Sequence, residues 1–467
     1  MDKDCAHSSR TRIISLMSAS APMDRVLVKG WIRTVRHGKD ITFMAVNDGS
    51  CLASLQVVFT PDVADYERVS KAGTGACIAA TGALVESPAR GQKWELQAEN
   101  IKIVGDAGTD YPLQKKRHSF EYLRTIAHLR PRSNTFGAVF RMRSALSFAI
   151  HSFFQERGFL YLHSPILTTN DCEGAGDIFT VTTLDISDPP VKDGNIDWSR
   201  DFFGAKTGLT VSGQLEGEIF ASAFSDIYTF GPTFRAEDSN TRRHAAEFWM
   251  VEPEMAFADL EENCRLAEDF FRYLCCYALD NCREDLAFFD RWIEQGLMKR
   301  LEKIAAGRFE TMTYTEAIRL LRDSGEPFEF PVEWGHDLQT EHERYLTEKV
   351  TGGPLFVVDY PASLKAFYMR MNSDGRTVAA MDLLVPHVGE IIGGSQREER
   401  LDVLTGRMEA KGMDTESLWW FLDLRRWGTC PHSGFGLGFE RTIMYVTGMK
   451  NIRDVIPFPR TPGNAVF

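Results

Sequence analysis

Residues 230–257 limit what this chain can fold into more than any other stretch. An apolar run, Ile227 to Phe234, ends in Arg235 and Glu237, and a polar tract holding Arg242, Arg243 and His244 follows. The chain then re-enters an extended apolar run, Phe248 to Val251, accompanied by Glu247, Glu252 and Glu254. Strand, charged loop, strand is how an antiparallel pair carries cations over a polyanion while keeping them out of a core. The tract reads as a cradle for phosphates.

A chain of 467 residues predicts two to four domains, each able to bury its own core. No apolar run approaches the roughly 18 residues of a spanning helix, so no membrane partner is expected. Met1 to Ser20 mixes charged and polar residues with short apolar runs and does not read as a secretory signal. The nine cysteines form no Cys-x-x-Cys pair, and the cluster Cys275, Cys276 and Cys282 reads as one helix face. No zinc is expected, and a reducing, cytoplasmic setting fits. A net charge of −12 argues against nonspecific coating of nucleic acid, yet Lys115 to Arg132 holds six basic residues against the single acid Glu121.

Five runs between Asp24 and Val104 read as strands: Arg25–Trp31, Ile41–Val46, Leu52–Phe59, Cys77–Leu84 and Trp94–Val104. Pro61 to Lys71, between the third and fourth, has helical spacing, which is the element order of an OB-fold barrel. Other small barrels share that spacing. Phe136 to Arg157 has strong helical periodicity and runs through Gly158 into Phe159–Pro165. Asp185 to Phe203 reads as a surface loop, and 260–350 as largely helical with no residue assigned a chemical role. Strands return at Leu355–Val358, Ala366–Arg370 and Ala379–Leu384. The glycine run Gly434–Arg441 lacks the preceding strand and following acid of a dinucleotide fold, and no P-loop or nucleophile elbow occurs.

Phe-Arg-x-Glu, then Arg-His, then Glu-Phe resembles motif 2 of the class II aminoacyl-tRNA synthetases. The 136–165 helix and strand resemble motif 1, and Gly434–Arg441 resembles motif 3. Thr210-Val-Ser-Gly-Gln-Leu, Gly389-Glu-Ile-Ile-Gly-Gly-Ser and Asp454-Val-Ile-Pro-Phe-Pro-Arg-Thr-Pro-Gly-Asn extend the likeness over 24–467. The last string is closer to the family's asparagine branch than to its aspartate branch. The resemblance implies an α+β chain: a lead at 1–22, a five-stranded OB-fold anticodon-binding domain at 23–106 and a basic linker at 107–132. A class II catalytic domain at 133–467 follows, an antiparallel sheet flanked by helices with a helical insertion at about 260–350. His387 stands where that family is expected to have glycine and Asp238 where it has asparagine.

Function follows as an expectation: ATP-dependent ligation of L-asparagine to the 3′-terminal adenosine of tRNA(Asn) through an asparaginyl-adenylate, by a homodimer joined at motif 1. Such chemistry needs no protein nucleophile, only positioning and charge stabilisation. The resemblance implies that Arg235 bridges the α-phosphate and the substrate carboxylate, a task suited to a planar fork. It implies that Glu237 orients the nucleotide or the tRNA end, that Arg243 and His244 hold the γ-phosphate, and that Phe248 and Arg441 sandwich the adenine. Asp382 and Glu390 are the implied Mg2+ ligands, since magnesium prefers one or two carboxylates with phosphate oxygens and water. Glu173, Ser212 and Gln214 are implied for the α-ammonium group and Arg397 for the side-chain oxygen. Phe43 is implied to stack an anticodon base and Gln56 to read the central uridine.

Asparagine and aspartate have nearly one shape, so charge must separate them. The lysine that aspartyl enzymes carry after Gln-Leu is missing here, and Glu252 stands where they have aspartate. Glutamate there could accept the asparagine amide and repel a carboxylate. Two like charges ~4 Å apart at an effective dielectric of ~20 cost about 4 kcal/mol, roughly a thousandfold. An aspartate-specific or nondiscriminating enzyme, a tRNA-independent asparagine synthetase and a noncatalytic tRNA-binding paralogue are the rivals.

Overall fold

A computed structural model describes residues 10–170, 172, 178–239 and 241–467. The chain divides into two compact units, Met1–Arg141 and Met142–Phe467.

In the first unit five strands close a barrel in the order β1-β2-β3-β5-β4, where β1 is Met23–His37, β2 Thr42–Asn47, β3 Leu55–Phe59, β4 Cys77–Glu86 and β5 Trp94–Gly105. Alternation dictates what fills it. On β2, Thr42, Met44 and Val46 are buried inside while Phe43 and Ala45 face outward, half-buried. Val28, Ile32, Leu55, Val57, Ile78 and Leu96 complete the core, and the expected helix before the fourth strand is Tyr66–Ser70. The end of the lead belongs to the barrel. A short helix, Ile13–Met17, buries Ile13 and Leu16 in the same core, and Asp48 Oδ2 accepts the Ile13 N–H at 3.0 Å.

In the second unit an eight-stranded sheet runs in the order Glu310–Thr313, Leu355–Pro361, Thr377–Val385, Gly389–Gln396, His432–Gly438, Glu247–Ala256, Asp226–Phe234, Leu160–Leu162. Its interior pairs are antiparallel, and the outermost strand at each edge is parallel to its neighbour. The 230–257 tract is an antiparallel hairpin as its spacing predicts, with Phe234 opposite Glu247 and Thr229 opposite Glu252. Behind it, the helix Asn134–Glu156 packs Phe154 on Tyr228, and Phe153 and Phe154 on Phe270. That phenylalanine lies on the helix Leu260–Asn281, whose start is fixed by a capping box of Asp259 and Glu262.

One expectation needs correction. Ala366–Arg370 is not a strand: turns follow Pro361, and only Met369 makes a bridge, to Arg397. Phe367 and Tyr368 are both buried in one cluster with Phe421 and Leu404, and two adjacent buried side chains break the alternation a half-buried strand needs. The 260–350 insertion is largely helical, as expected, and Glu310–Thr313 adds an edge strand to the sheet. Asp185–Phe203 is largely exposed, as expected of a surface loop, and within it Val191–Lys192 and Asn195–Ile196 pair as a minimal hairpin. His387 keeps the turn that glycine was expected to make. It adopts φ 70°, and its N–H donates to Glu348 Oε1 at 3.1 Å.

Candidate active site

Strand parity assembles the site. Phe248, Met250, Glu252 and Glu254 occupy alternate positions of one strand and so line one face of the sheet. In the strand Gly389–Gln396, separated from this one by His432–Gly438, the register with Thr377–Val385 slips at Ile391, and the extra residue brings Glu390 onto the face of Gly393. The glycine run is itself a strand, His432–Gly438, rather than a phosphate loop. Its glycines leave room for the neighbours' carboxylates: a Cβ on Gly434 would lie 2.3 Å from Glu254 Oε1.

Two cavities open on this face. One, of about 130 Å³, is lined by Arg235, Glu237, Arg243, His244, Phe248 and Arg441, six of the residues expected at ATP. The second, of about 410 Å³, is lined by Gln214, Glu252, Glu254, Lys365, Asp382 and Arg397. Arg235, Met250, Glu390 and Gly436 line both.

In the first cavity the Arg235 guanidinium carbon lies 5.5 Å from the Phe248 ring centroid, and its Nη1 is 3.8 Å from Glu237 Oε1. Arg441 Nη1 donates to the Glu390 carbonyl at 3.0 Å and lies 3.4 Å from its carboxylate. The loop between the hairpin strands is tied down at its base, Arg235 N to Ala246 O at 3.0 Å, and at its far side, Ile452 N to Arg242 O at 2.9 Å. Ser239 and Thr241 both engage His244 Nδ1. Burial, aided by Arg441, Arg235 and Arg243 against Glu237, holds the His244 pKa below its usual value.

Asp382 and Glu390 flank Gly393, where an added Cβ would lie 3.1 Å from Glu390 Oε1 and 3.4 Å from Asp382 Oδ1. Two hard-oxygen donors converging beside the first cavity fit magnesium. Burial pushes the Asp382 pKa up and Lys365, 2.8 Å from Oδ2, only partly offsets it. Burial acts on Glu390 in the same sense, but Arg441 and Lys365 outweigh it and hold that carboxyl low.

The residues expected at the amino acid are mutually bonded. Glu252 accepts from Ser212 Oγ, from Gly213 N at 2.9 Å and from Thr229 Oγ1 at 3.1 Å. Three donors aimed at one carboxylate fix it as an acceptor. Arg397 grips both Glu254 oxygens through Nε and Nη2 and donates Nη1 to Ser395 Oγ. These bonds use three of its five N–H groups. Ser212 also accepts the Gln214 N–H at 3.1 Å, and Gln214 Nε2 donates to Glu218 at 3.0 Å. Glu218 is fully buried, its carboxyl held well below the usual range by Arg425, His432 and Arg397 despite burial. Glu173 lies outside the described residues.

Several of these groups carry no signal in the sequence. Lys365 sits beside a turn misread as a strand, and Glu218, Glu254, Arg425 and His432 meet only through the fold. Thr340 and Glu343, in the insertion to which no chemistry was assigned, lie against residues expected at the site. Arg243 donates to Thr340 Oγ1 at 3.0 Å, and Glu343 Oε2 faces the Glu390 N–H at 3.4 Å. Burial and the Glu390 charge push the Glu343 pKa up to about 7, against Arg441 and Arg243.

On the barrel, Phe43 and Gln56 lie on the outer face of neighbouring strands. Arg36, unassigned from sequence, joins them: its guanidinium carbon is 5.8 Å from the Phe43 centroid and its Nη2 3.4 Å from Gln56 Oε1. The basic linker is less uniform than its sequence suggests. Arg130 is buried over Phe136 at 4.5 Å, and Arg124 lies 3.8 Å from Glu121. No described helix is long and apolar enough to cross a membrane.

The family "tRNA synthetases class II (D, K and N)" matches residues 120–462, and "OB-fold nucleic acid binding domain" matches residues 26–104. The chain is 66% identical over 458 residues to an asparagine–tRNA ligase of Geotalea uraniireducens, covering 98% of this chain and 99% of that one. A Geobacter sulfurreducens asparagine–tRNA ligase is 66% identical over 460 residues, covering 98% and 100%. Among solved structures, asparaginyl-tRNA synthetase from Pyrococcus horikoshii complexed with asparaginyl-adenylate superposes with a TM-score of 0.86 at 29% identity, covering 98% of this chain and 100% of that one.

Proposed function

This chain belongs to the class II tRNA synthetases (D, K and N) and aminoacylates tRNA with asparagine, and we infer that it does so by assembling asparaginyl-adenylate where its two cavities join. The observation that carries this is Arg235. It lines both cavities, so one guanidinium can meet an α-phosphate from one side and a carboxylate from the other. As the carboxylate oxygen attacks phosphorus and pyrophosphate leaves, that fork offsets the charge gathering between the reactants. Phe248 and Arg441 hold the adenine, Arg243 and His244 the γ-phosphate, and Glu237 orients the nucleotide. Asp382 and Glu390 would hold Mg2+, which when bound neutralises phosphate oxygens. Lys365 keeps Asp382 in place.

In the larger cavity Arg397, aimed by Glu254, takes the side-chain oxygen, while Gln214, with Ser212 beside it, takes the ammonium group, a role the family resemblance also gives to Glu173. Glu252 accepts the amide N–H of asparagine. Held by three donors, it cannot readily turn away from an aspartate carboxylate, so the repulsion falls on the wrong substrate. The barrel at 23–106 takes the anticodon of tRNA(Asn) on Phe43 and Gln56, the linker at 107–132 joins it to the catalytic domain at 133–467, and the enzyme works in the cytoplasm as a homodimer. Supporting the dimer, Leu160–Leu162 is a sheet edge with Leu160 and Tyr161 exposed. Sedimentation of the purified chain at half the dimer mass would remove that part.

ATP–pyrophosphate exchange with asparagine and aspartate in parallel tests the reading. Exchange with asparagine alone is expected. Equal exchange with aspartate would overturn the role given to Glu252, and none with either would overturn the adenylate site.

A further inference from the structure

Gln214 and Arg397, assigned above to opposite ends of the amino acid, share a neighbour to which no role has been given. Glu218 follows Gln214 by one turn, four residues along the helix Gln214–Phe224, so both side chains lie on one face. Glu218 Oε1 accepts from Gln214 Nε2 at 3.0 Å and lies 3.9 Å from Arg397 Nε. Its other oxygen, Oε2, accepts from Arg425 Nη2 at 2.5 Å and lies 3.0 Å from His432 Nε2. Arg425 also donates Nε to the carbonyl of Glu398 at 3.0 Å, beside Arg397 in the chain. Gln214 and Arg397 line the larger cavity, whereas Glu218 and Arg425 are buried behind its wall.

Two guanidinium groups therefore stand at the amino-acid cavity with two carboxylates, Glu254 on Arg397 and Glu218 on Arg425. Desolvation costs such a cluster about as much as its attractions return, and apolar side chains of equal volume often serve stability as well. What the cluster sets is the field at the cavity. Arg397 by itself favours a carboxylate over an amide, because a guanidinium–carboxylate pair is charge-assisted from both sides. Left to Arg397, the pocket would prefer aspartate. Glu218 is ionised in spite of burial, held so by Arg425, His432 and Arg397, and its charge cancels the excess of cation that would draw that carboxylate in. Glu252 repels aspartate from within the cavity. Glu218 acts from outside it, through Arg397.

We propose that Glu218 is a positioning and selectivity residue: it ties Gln214 to Arg397 and cancels the Arg425 charge, so that the pocket accepts an amide rather than a carboxylate. The proposal rests on Gln214 and Arg397 being the contacts to the amino acid. Its test is ATP–pyrophosphate exchange by the full chain, with kcat and KM measured separately for asparagine, aspartate and ATP. Glu218→Gln keeps an oxygen for Gln214 to donate to and removes the charge. A unit charge about 8 Å from the substrate carboxylate, at an effective dielectric of ~20, corresponds to roughly thirtyfold, so the asparagine-over-aspartate ratio of kcat/KM should fall by about ten- to thirtyfold. The fall should come through a lower KM for aspartate, with the KM for ATP unmoved. Glu218→Gln/Arg425→Gln removes one charge of each sign and should recover most of the ratio, which a loss of packing alone would not do. Arg425→Gln, unbalanced in the opposite sense, should raise the ratio, and it decides the matter if Glu218→Gln does not fold.

An unaltered ratio in folded Glu218→Gln, or a double variant as unselective as the single one, overturns the proposal. So does an Arg425→Gln enzyme whose ratio is unchanged or lower. A KM for asparagine that Gln214→Ala leaves unchanged would overturn the reading of the pocket and this proposal with it. A KM that Gln214→Ala raises, beside an unaltered ratio in Glu218→Gln, would overturn the proposal alone.

Discussion

The outer face of the barrel and the floor of the catalytic sheet both present polar side chains from alternating strand positions, yet they treat charge in opposite ways. On the sheet, most of the acids and bases central to the site are held by a partner: Arg397 by Glu254, Asp382 by Lys365, Glu390 by Arg441, Glu252 by three donors. On the barrel and its linker, Arg33, Lys115, Lys116 and Arg132 have no ion pair among the described residues, and Phe43 and Gln56 stand half-exposed. A reacting centre gains from dipoles and charges fixed before the substrate arrives, because reorganising them adds to the barrier. A surface that holds a flexible polyanion gains from uncompensated charge, whose counterions are released on binding. Changes on the sheet should therefore be severe and non-additive, and changes on the barrel modest and close to additive.

The largest effect belongs to Arg235. Replacing it with Gln keeps a planar hydrogen-bonding end and removes the charge, so pyrophosphate exchange should fall by about 10²–10³, the scale of losing one transition-state donor. A loss under tenfold would mean that the shared wall of the two cavities is not where reaction occurs. Next is Glu252→Gln, read as the ratio of asparagine to aspartate in exchange. The Coulomb argument sets a ceiling of roughly a thousandfold on the selectivity lost. The variant also weakens acceptance from Ser212, Gly213 and Thr229, so thermal unfolding must be followed alongside. Unaltered selectivity in a folded variant would move discrimination to another acid.

On the barrel, Phe43→Ala should reduce tRNA charging by about 10–100-fold, the worth of one stacked base, while leaving exchange untouched. Combining it with Gln56→Ala should add to the loss almost independently. Should exchange fall as well, the contrast between the two regions would fail.

Much of this contrast was legible in the sequence because it is local. The hairpin at 230–257, the alternation that places Phe248, Met250, Glu252 and Glu254 on one face, and the five barrel strands all follow from period-two patterning. The partners were not legible. Lys365 meets Asp382 across 17 residues and Arg397 meets Glu254 across 143, distances over which residue spacing carries no register. Arg33 could not be seen to leave the barrel wall, since one bulge between Ile32 and Thr34 reverses parity without any glycine or proline to mark it. Ala366–Arg370 was misread because two adjacent aromatics look like a strand until both are found buried.

Glu343 gives the smallest expected effect and a sharp test of the contrast, being a sheet-side acid with no close ion pair among the described residues. Its pKa in the folded chain is about 7 against an ordinary 4.5. Between those values the folded state holds a proton that the unfolded chain has released, so this group's contribution to stability falls as pH rises from about 4.5 to 7 and is flat outside that window. Above pH 7 it adds a negative charge beside Arg243 and Glu390, where the triphosphate end is placed. The KM for ATP in exchange should therefore rise several-fold across neutrality in the wild type. Glu343→Gln should lack that component, and taking the ratio of the two removes the protonation of ATP itself. Parallel profiles would show that Arg243 already neutralises Glu343, and the rule of paired charge on the sheet would then extend to the insertion as well.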